Sequence, residues 1–150
     1  MRKFVKRLRG DRGSELIELA IVMPILLLIL AGIMDFAFLF QRWEVVTNAA
    51  REGARLGILA GYTDTDVRNR VQGYLSSSGL TETPNILVAS GPTTVGTLTV
   101  QTVTVTVEYP SRFLYLGPIA GLVGGGFRNQ ITLRSASVMR SEGGSATGGS

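Results

Sequence analysis

"RGSELIELAIVMPILLLILAGIM", Arg12 to Met34, decides how the rest of the chain is read. From Leu19 to Met34 no residue is charged, and Leu, Ile, Val, Met and Ala dominate. With Leu16 and Ile17 before it and "FAFLF" (Phe36–Phe40) after it, the stretch approaches the ~20 residues that span ~30 Å of hydrocarbon. Residues 16–40 are therefore expected to cross a membrane as a helix. Glu18 and Asp35 interrupt it, about 26 Å apart at ~1.5 Å per helical residue, near the two edges of the hydrocarbon. Asp35 then reads as interfacial, and Arg42 and Trp43 suit the outer boundary. Pro24 removes one backbone donor and is expected to kink or loosen the turn before it. Glu18 is harder to place. A lone carboxylate inside a spanning helix costs roughly 2.5–3.5 kcal/mol on insertion scales, less where it can snorkel. Keeping it there calls for a cation at the same depth.

Charge supplies the orientation. The 150-residue chain has a net charge of +4, but the excess is local. Residues 1–13, "MRKFVKRLRGDRG", carry Arg2, Lys3, Lys6, Arg7, Arg9 and Arg12 against Asp11 alone, while the remainder is slightly acidic. A basic tag directly before an apolar run reads as a cytoplasmic retention signal, not as a nucleic-acid arm. With no Cys and no His, the chain has no disulfides, no thiolate metal site and no His-based triad. The acidic residues form no recognisable catalytic constellation. The expected protein is not an enzyme, and no metal or cofactor is expected.

"RG" followed by "SELIE" resembles a prepilin peptidase site: a basic leader, Gly13, the cut, then Glu18 as fifth residue of the mature chain. This layout is similar to type IV pilin-like proteins. "NAAREGAR" (Asn48–Arg55), and more weakly "YPSRFLYL" with "ITLRSASVMRSE", narrows it. Together they resemble the TadE-like pseudopilins of tight-adherence (Tad) pilus systems. The resemblance implies cleavage between Gly13 and Ser14, which gives Ser14 a new α-amino group, cationic at neutral pH. It further implies that Glu18 meets such an amine on a neighbouring subunit. Glu15 takes a plainer role as an acid in the first helical turn, and Ser14 as a helix cap before cleavage. The implied partners are a membrane, the prepilin peptidase, other pilin or pseudopilin subunits and the inner-membrane assembly machinery, with no nucleic acid. The implied place is the inner membrane, single-pass, N-terminus cytoplasmic and body outside, with possible incorporation in a pilus for surface adherence. The competing reading is an uncleaved single-span binding module of the cell envelope.

Beyond the span, the expected class is α+β: a long N-terminal helix over 14–60, a short second helix and a small antiparallel sheet of about three strands. The expected divisions are a leader at 1–13, an extracytoplasmic body at 61–140 and a disordered tail at 141–150. In "QRWEVVTNAAREGARLGILA" (Gln41–Ala60), Ala50, Gly53, Ala54 and Gly57 recur at helical spacing as a seam of small residues. The seam fits either another subunit or this chain's own sheet. Glu44, Arg51, Glu52 and Arg55 read as a solvated face. The second helix is expected after Asp64 or Thr65 as cap, with Val67, Val71, Tyr74 and Leu75 as its stripe and Gly79 as its stop. "DTD" (Asp64–Asp66) lacks the glycine and distal glutamate of a calcium loop and fits capping better.

Strands are expected at 85–90, 97–109 and 130–140. Val103, Val105, Val107 and Tyr109 share one face, opposite Thr104, Thr106 and Glu108. Leu98 and Val100 are out of step with them, so a bulge or break is expected near Gln101–Thr102. Residues 110–129 read as an apolar, Gly-rich loop. In it Phe113, Leu114, Tyr115 and Leu116 either meet a partner or the membrane face, or tuck under the loop.

Overall fold

The computed structural model describes residues 2–95, 98–122 and 129–141, with side chains for 13–94, 99–119 and 129–141. Of the expected tail at 141–150, Ser141 is described and its N–H bonds Gln101 C=O at 2.8 Å, while 142–150 and the Gly-rich stretch 123–128 lie outside the described residues. In chain order the elements are α1 (Arg2–Gly57), α2 (Asp64–Ser77), β1 (Asn85–Val95), β2 (Leu98–Arg112), α3 (Leu116–Leu122) and β3 (Gln130–Arg140). The long helix, short second helix and three-stranded antiparallel sheet make the class α+β. Contacts divide the chain into two compact units, 1–37 with 113–127, and 38–112 with 128–150.

The first unit is mostly the apolar part of α1, which passes Pro24 without a break. Its large side chains have almost nothing to pack on. From Leu16 to Met34 the big apolar residues are 45–66 % exposed. Ser14 does not cap this helix, because the chain is already helical from Arg2. The basic segment is rich in Arg and Lys, both good helix formers, and Gly10 and Gly13 do not stop it. Glu15 accordingly lies in mid-helix and would reach a first turn only in a chain cut at Gly13.

The second unit holds the core. The sheet order is β1-β2-β3, with β2 in the centre and both pairings antiparallel. Val103, Val105, Val107 and Tyr109 are all buried, as the alternation of β2 requires. Register places Ile86 beside Val107 and Val88 beside Val105 on one side, and Leu133 beside Tyr109 on the other. The last turns of α1 (Val46, Ala49, Ala50, Ala54) and one face of α2 (Val67, Val71, Leu75) complete this core. Thr106 departs from the pattern: it belongs to the opposite face yet is buried.

Three sequence expectations change here. The bulge at Gln101–Thr102 does not form; Gln101 pairs with Pro92 and Thr102 with Gly91 in unbroken register. The phase of Val100 does not force a correction, because the α1 cover ends at Gly57, whose hypothetical Cβ would meet Val103. Past that level no helix face selects which side of the hairpin is apolar. β1 runs on through Gly91 and Pro92 to Val95, which an edge strand tolerates. β2 runs on through Pro110 to Arg112. There β2 has outrun β1, whose first pair is Asn85 with Glu108, and only β3 remains beside it.

The second helix starts one residue before the expected caps. Thr63 is the N-cap; its Oγ1 accepts from Asp66 N–H at 3.3 Å, while Asp66 Oδ2 accepts from Thr63 N–H at 2.8 Å. The reciprocal box won because an acid three residues on is placed to reach back, which neither Asp64 nor Thr65 offers. At the other end Gly79 has φ +81°, Leu80 N–H bonds Leu75 C=O and Gly79 N–H bonds Ser76 C=O. This is a Schellman closure, with Leu80 buried in the same cluster as Leu75.

Candidate functional site

The sequence places its assembly residues on α1. Gly13 lies within the helix, and a Cβ built on it meets nothing within 4 Å. Ser14, Glu15 and Glu18 are exposed, and no described residue bonds or pairs with Glu18. Glu18 therefore stands at the start of a bare apolar surface with no cation from its own described chain. Among the described residues, one helix is long and apolar enough to cross a membrane, with its candidate span inside Gly13–Gly57. The exposed apolar length of α1 suits a membrane anchor, since water is a poor solvent for a surface of that size.

The seam of small residues faces inward. Ala50 and Ala54 are fully buried. A Cβ on Gly53 would come to 2.5 Å from Val71 Cγ2 and 3.3 Å from Val105 Cγ1; one on Gly57 would come to 2.9 Å from Val103 Cγ1. This chain's own α2 and β2 occupy the seam. Of the two fits left open by the spacing, the structure takes the internal one, and Pro24, far along the helix, takes no part in it.

The polar face of the same turns is more organised than a solvated surface. Glu52 receives Arg55 at 3.0 Å and Arg70 from α2 at 2.7 Å. The Arg55 and then the Arg70 hydrogen bonds lower the Glu52 carboxyl to about 2. Asp66 is also held below the usual range, by the Thr63 backbone N–H first and the Thr63 hydroxyl second. That is the capping box, and it accounts for the "DTD" stretch without an ion. Among the described residues no cluster of acids could hold a metal.

Sequence reasoning missed the role of Asp35. It is not an interfacial group facing solvent; it is 2 % exposed. Its Oδ1 accepts from Leu114 N–H at 2.8 Å and Tyr115 N–H at 3.1 Å. Its Oδ2 accepts from Tyr115 N–H at 3.1 Å and Leu116 N–H at 2.7 Å. Four backbone contacts thus tie α1 to the residues entering α3. The signal was present as an acid at the end of an apolar run and a Gly/Pro-rich apolar segment far along the chain. Only folding joins positions 79 to 81 residues apart. Leu114 and Tyr115 have exposed side chains, whereas Phe113 and Leu116 are half-buried, so the 113–116 segment is anchored by its backbone and open at its side chains. Beyond the span, Arg42 does not stand as a free boundary charge. Its guanidinium donates to Ser111 Oγ at 2.8 Å and to Arg112 C=O at 3.3 Å. Trp43 is exposed and tilted against Phe40, with ring centroids 5.9 Å apart.

Fold and site define an α+β protein with one membrane-length apolar helix among its described residues. Residues 13–55 match the family model described as TadE-like protein, so over this stretch the chain is similar to that family, as "SELIE" and "NAAREGAR" led us to expect. The match runs from Gly13 through the apolar surface and the buried seam. No curated protein and no solved structure matches the chain.

Proposed function

We propose that this protein is a pseudopilin-like subunit that helps assemble or prime a Tad-type pilus for surface adherence. In this reading prepilin peptidase cuts after Gly13, the leader is cytoplasmic, and the body lies outside the inner membrane. Glu18 then meets the α-amino group of Ser14 on an adjoining subunit. The observation that carries the proposal is the coincidence of the TadE-like match, beginning at Gly13, with an exposed Glu18 that has no partner among the described residues. A carboxylate left alone near lipid costs roughly 2.5–3.5 kcal/mol, and removing one member of a buried charge pair costs about 3–5 kcal/mol. A penalty of that size selects the subunit register that pairs them. The basic residues before Gly13 support the orientation by the positive-inside rule. A TadE-like match also supports a structural role over a catalytic one.

N-terminal sequencing of the mature protein is the first test, with Ser14 expected as residue one. Gly13→Ala is expected to block maturation. The helix has room for that methyl, so unfolding does not explain a block. Glu18→Ala is expected to keep membrane insertion and lose subunit incorporation. A retained Met1 in the wild type would replace this reading with the uncleaved envelope module, and normal incorporation of Glu18→Ala would remove the ionic role.

A further inference from the structure

We infer that the segment from Phe113 to Ile119 is a membrane foot: a second, non-spanning lipid contact, docked on α1 through Asp35 and resting in the bilayer interface. The inference depends on α1 being a membrane anchor but not on cleavage or pilus assembly.

Depth along the span is the first argument. The uncharged run of α1 ends at Met34, directly before Asp35. The Asp35 oxygens lie 2.7–3.1 Å from the nitrogens of Leu114, Tyr115 and Leu116. Those residues are therefore held at the level of Asp35, where the uncharged run of α1 stops. Lipid that covers Ile33, Met34 and Phe36, all exposed, reaches the same level.

Composition is the second. "FLYLGPIAGL", Phe113 to Leu122, has no charge. Leu114 and Tyr115 turn nearly half of their surface outward. Tyrosine favours the interface, where its ring meets acyl chains and its hydroxyl meets water.

The third argument is the backbone. A chain end or turn enters lipid only where its N–H groups are satisfied. The start of α3 ordinarily leaves several open. Here Asp35 takes those of Leu114, Tyr115 and Leu116. Pro118 has none to offer. Ile119 N–H bonds Tyr115 C=O at 3.3 Å. Of the first turn of α3 only Gly117 falls outside this accounting. Pairing of this kind suits a segment that gives up part of its water to lipid, where unmet backbone donors are costly.

The test uses the full chain in phosphatidylcholine vesicles. Trp43 is the only tryptophan, so Trp43→Phe gives a dark background. In that background Tyr115→Trp reports the foot and Leu27→Trp reports the span. Lipids brominated at different acyl positions quench an indole according to depth. The foot predicts strong quenching at position 115 by bromines near the headgroups, little by bromines near the chain ends, and weak quenching by aqueous acrylamide. It predicts deep quenching at position 27. Adding Asp35→Asn, which keeps the shape but gives up one acceptor oxygen, should move the indole at 115 into acrylamide reach and leave position 27 unchanged. Deep quenching at 27 with lipid-independent fluorescence at 115 overturns the foot and leaves the anchor standing. An indole at 115 hidden from both lipid and acrylamide overturns it in favour of a protein contact. Unchanged quenching at 115 in Asp35→Asn overturns the Asp35 link. Absence of lipid quenching at 27 removes the anchor and the foot with it.

Discussion

α1 carries two surfaces on one uninterrupted helix, and they obey opposite rules. From Leu16 to Met34 the side chains are large, branched and bare. From Val46 to Gly57 the inner face is Val, Ala and Gly, and it is sealed. Hydropathy alone ranks the first as the better core, yet the second is the core. Large apolar residues all round a helix leave a neighbour no close approach, whereas lipid accepts any shape. Small residues on one face let α2 and β2 come to van der Waals contact. The size of the apolar residue, as well as its hydrophobicity, separates a lipid surface from a protein interior here.

Adding a methyl to each surface tests this difference most severely. Gly53→Ala pushes a Cβ into Val71 and is expected to destabilise by about 1–3 kcal/mol, the range for overpacking. Gly32→Ala meets nothing within 4 Å and should leave stability unchanged or improve it by up to ~1 kcal/mol, since glycine is a poor helix residue. Thermal unfolding of the full chain in detergent reads both. Equal effects at the two positions would break the comparison.

Cutting the cap of α2 comes next in size. Val67 and Val71 fill the Gly53–Gly57 notch only if α2 is formed. Thr63→Ala removes the hydroxyl of the capping box and is expected to cost about 0.5–2 kcal/mol. Amide exchange should then rise across Asp64–Ser77 and in the seam, with no change between Leu19 and Met34. Faster exchange in the apolar run would show that the two surfaces are not independent.

Glu52 gives the smallest effect. Its folded carboxyl is lowered from the ordinary 4.5 to about 2, so its ion pairs stabilise the fold above pH ~4.5 and lose that contribution as pH falls toward 2. Both arginines are more than half exposed, so the gain is modest and screened by salt. Glu52→Gln should lower the Tm slightly at pH 7 and flatten its decline between pH 4.5 and 2. An acid limb identical to that of the wild type would mean other carboxylates govern it.

The valine column of β2, the stripe of α2 and the end of α2 at Gly79 were all legible because local period and turn chemistry specify them. The cap was misplaced by one or two residues, because Thr63 reads as loop until Asp66 is seen to reach back. The bulge was inferred from a phase change that has no consequence where no helix covers the strand. The β2 extension through Pro110 was hidden because proline normally stops a central strand, and only the shorter β1 turns that part of β2 into an edge. For the candidate site, Gly13 and Glu18 rest on spacing along one helix, and the sequence displays such spacing directly.

By itself, the sequence determined the membrane-length helix, the TadE-like stretch and the α+β class. These follow from composition and short-range periodicity, which act over a few turns of chain. Tertiary structure alone decided which partner the small-residue seam takes and what Asp35 is for. Both depend on groups far apart in the chain meeting at van der Waals or hydrogen-bond distance, and no local pattern encodes that meeting.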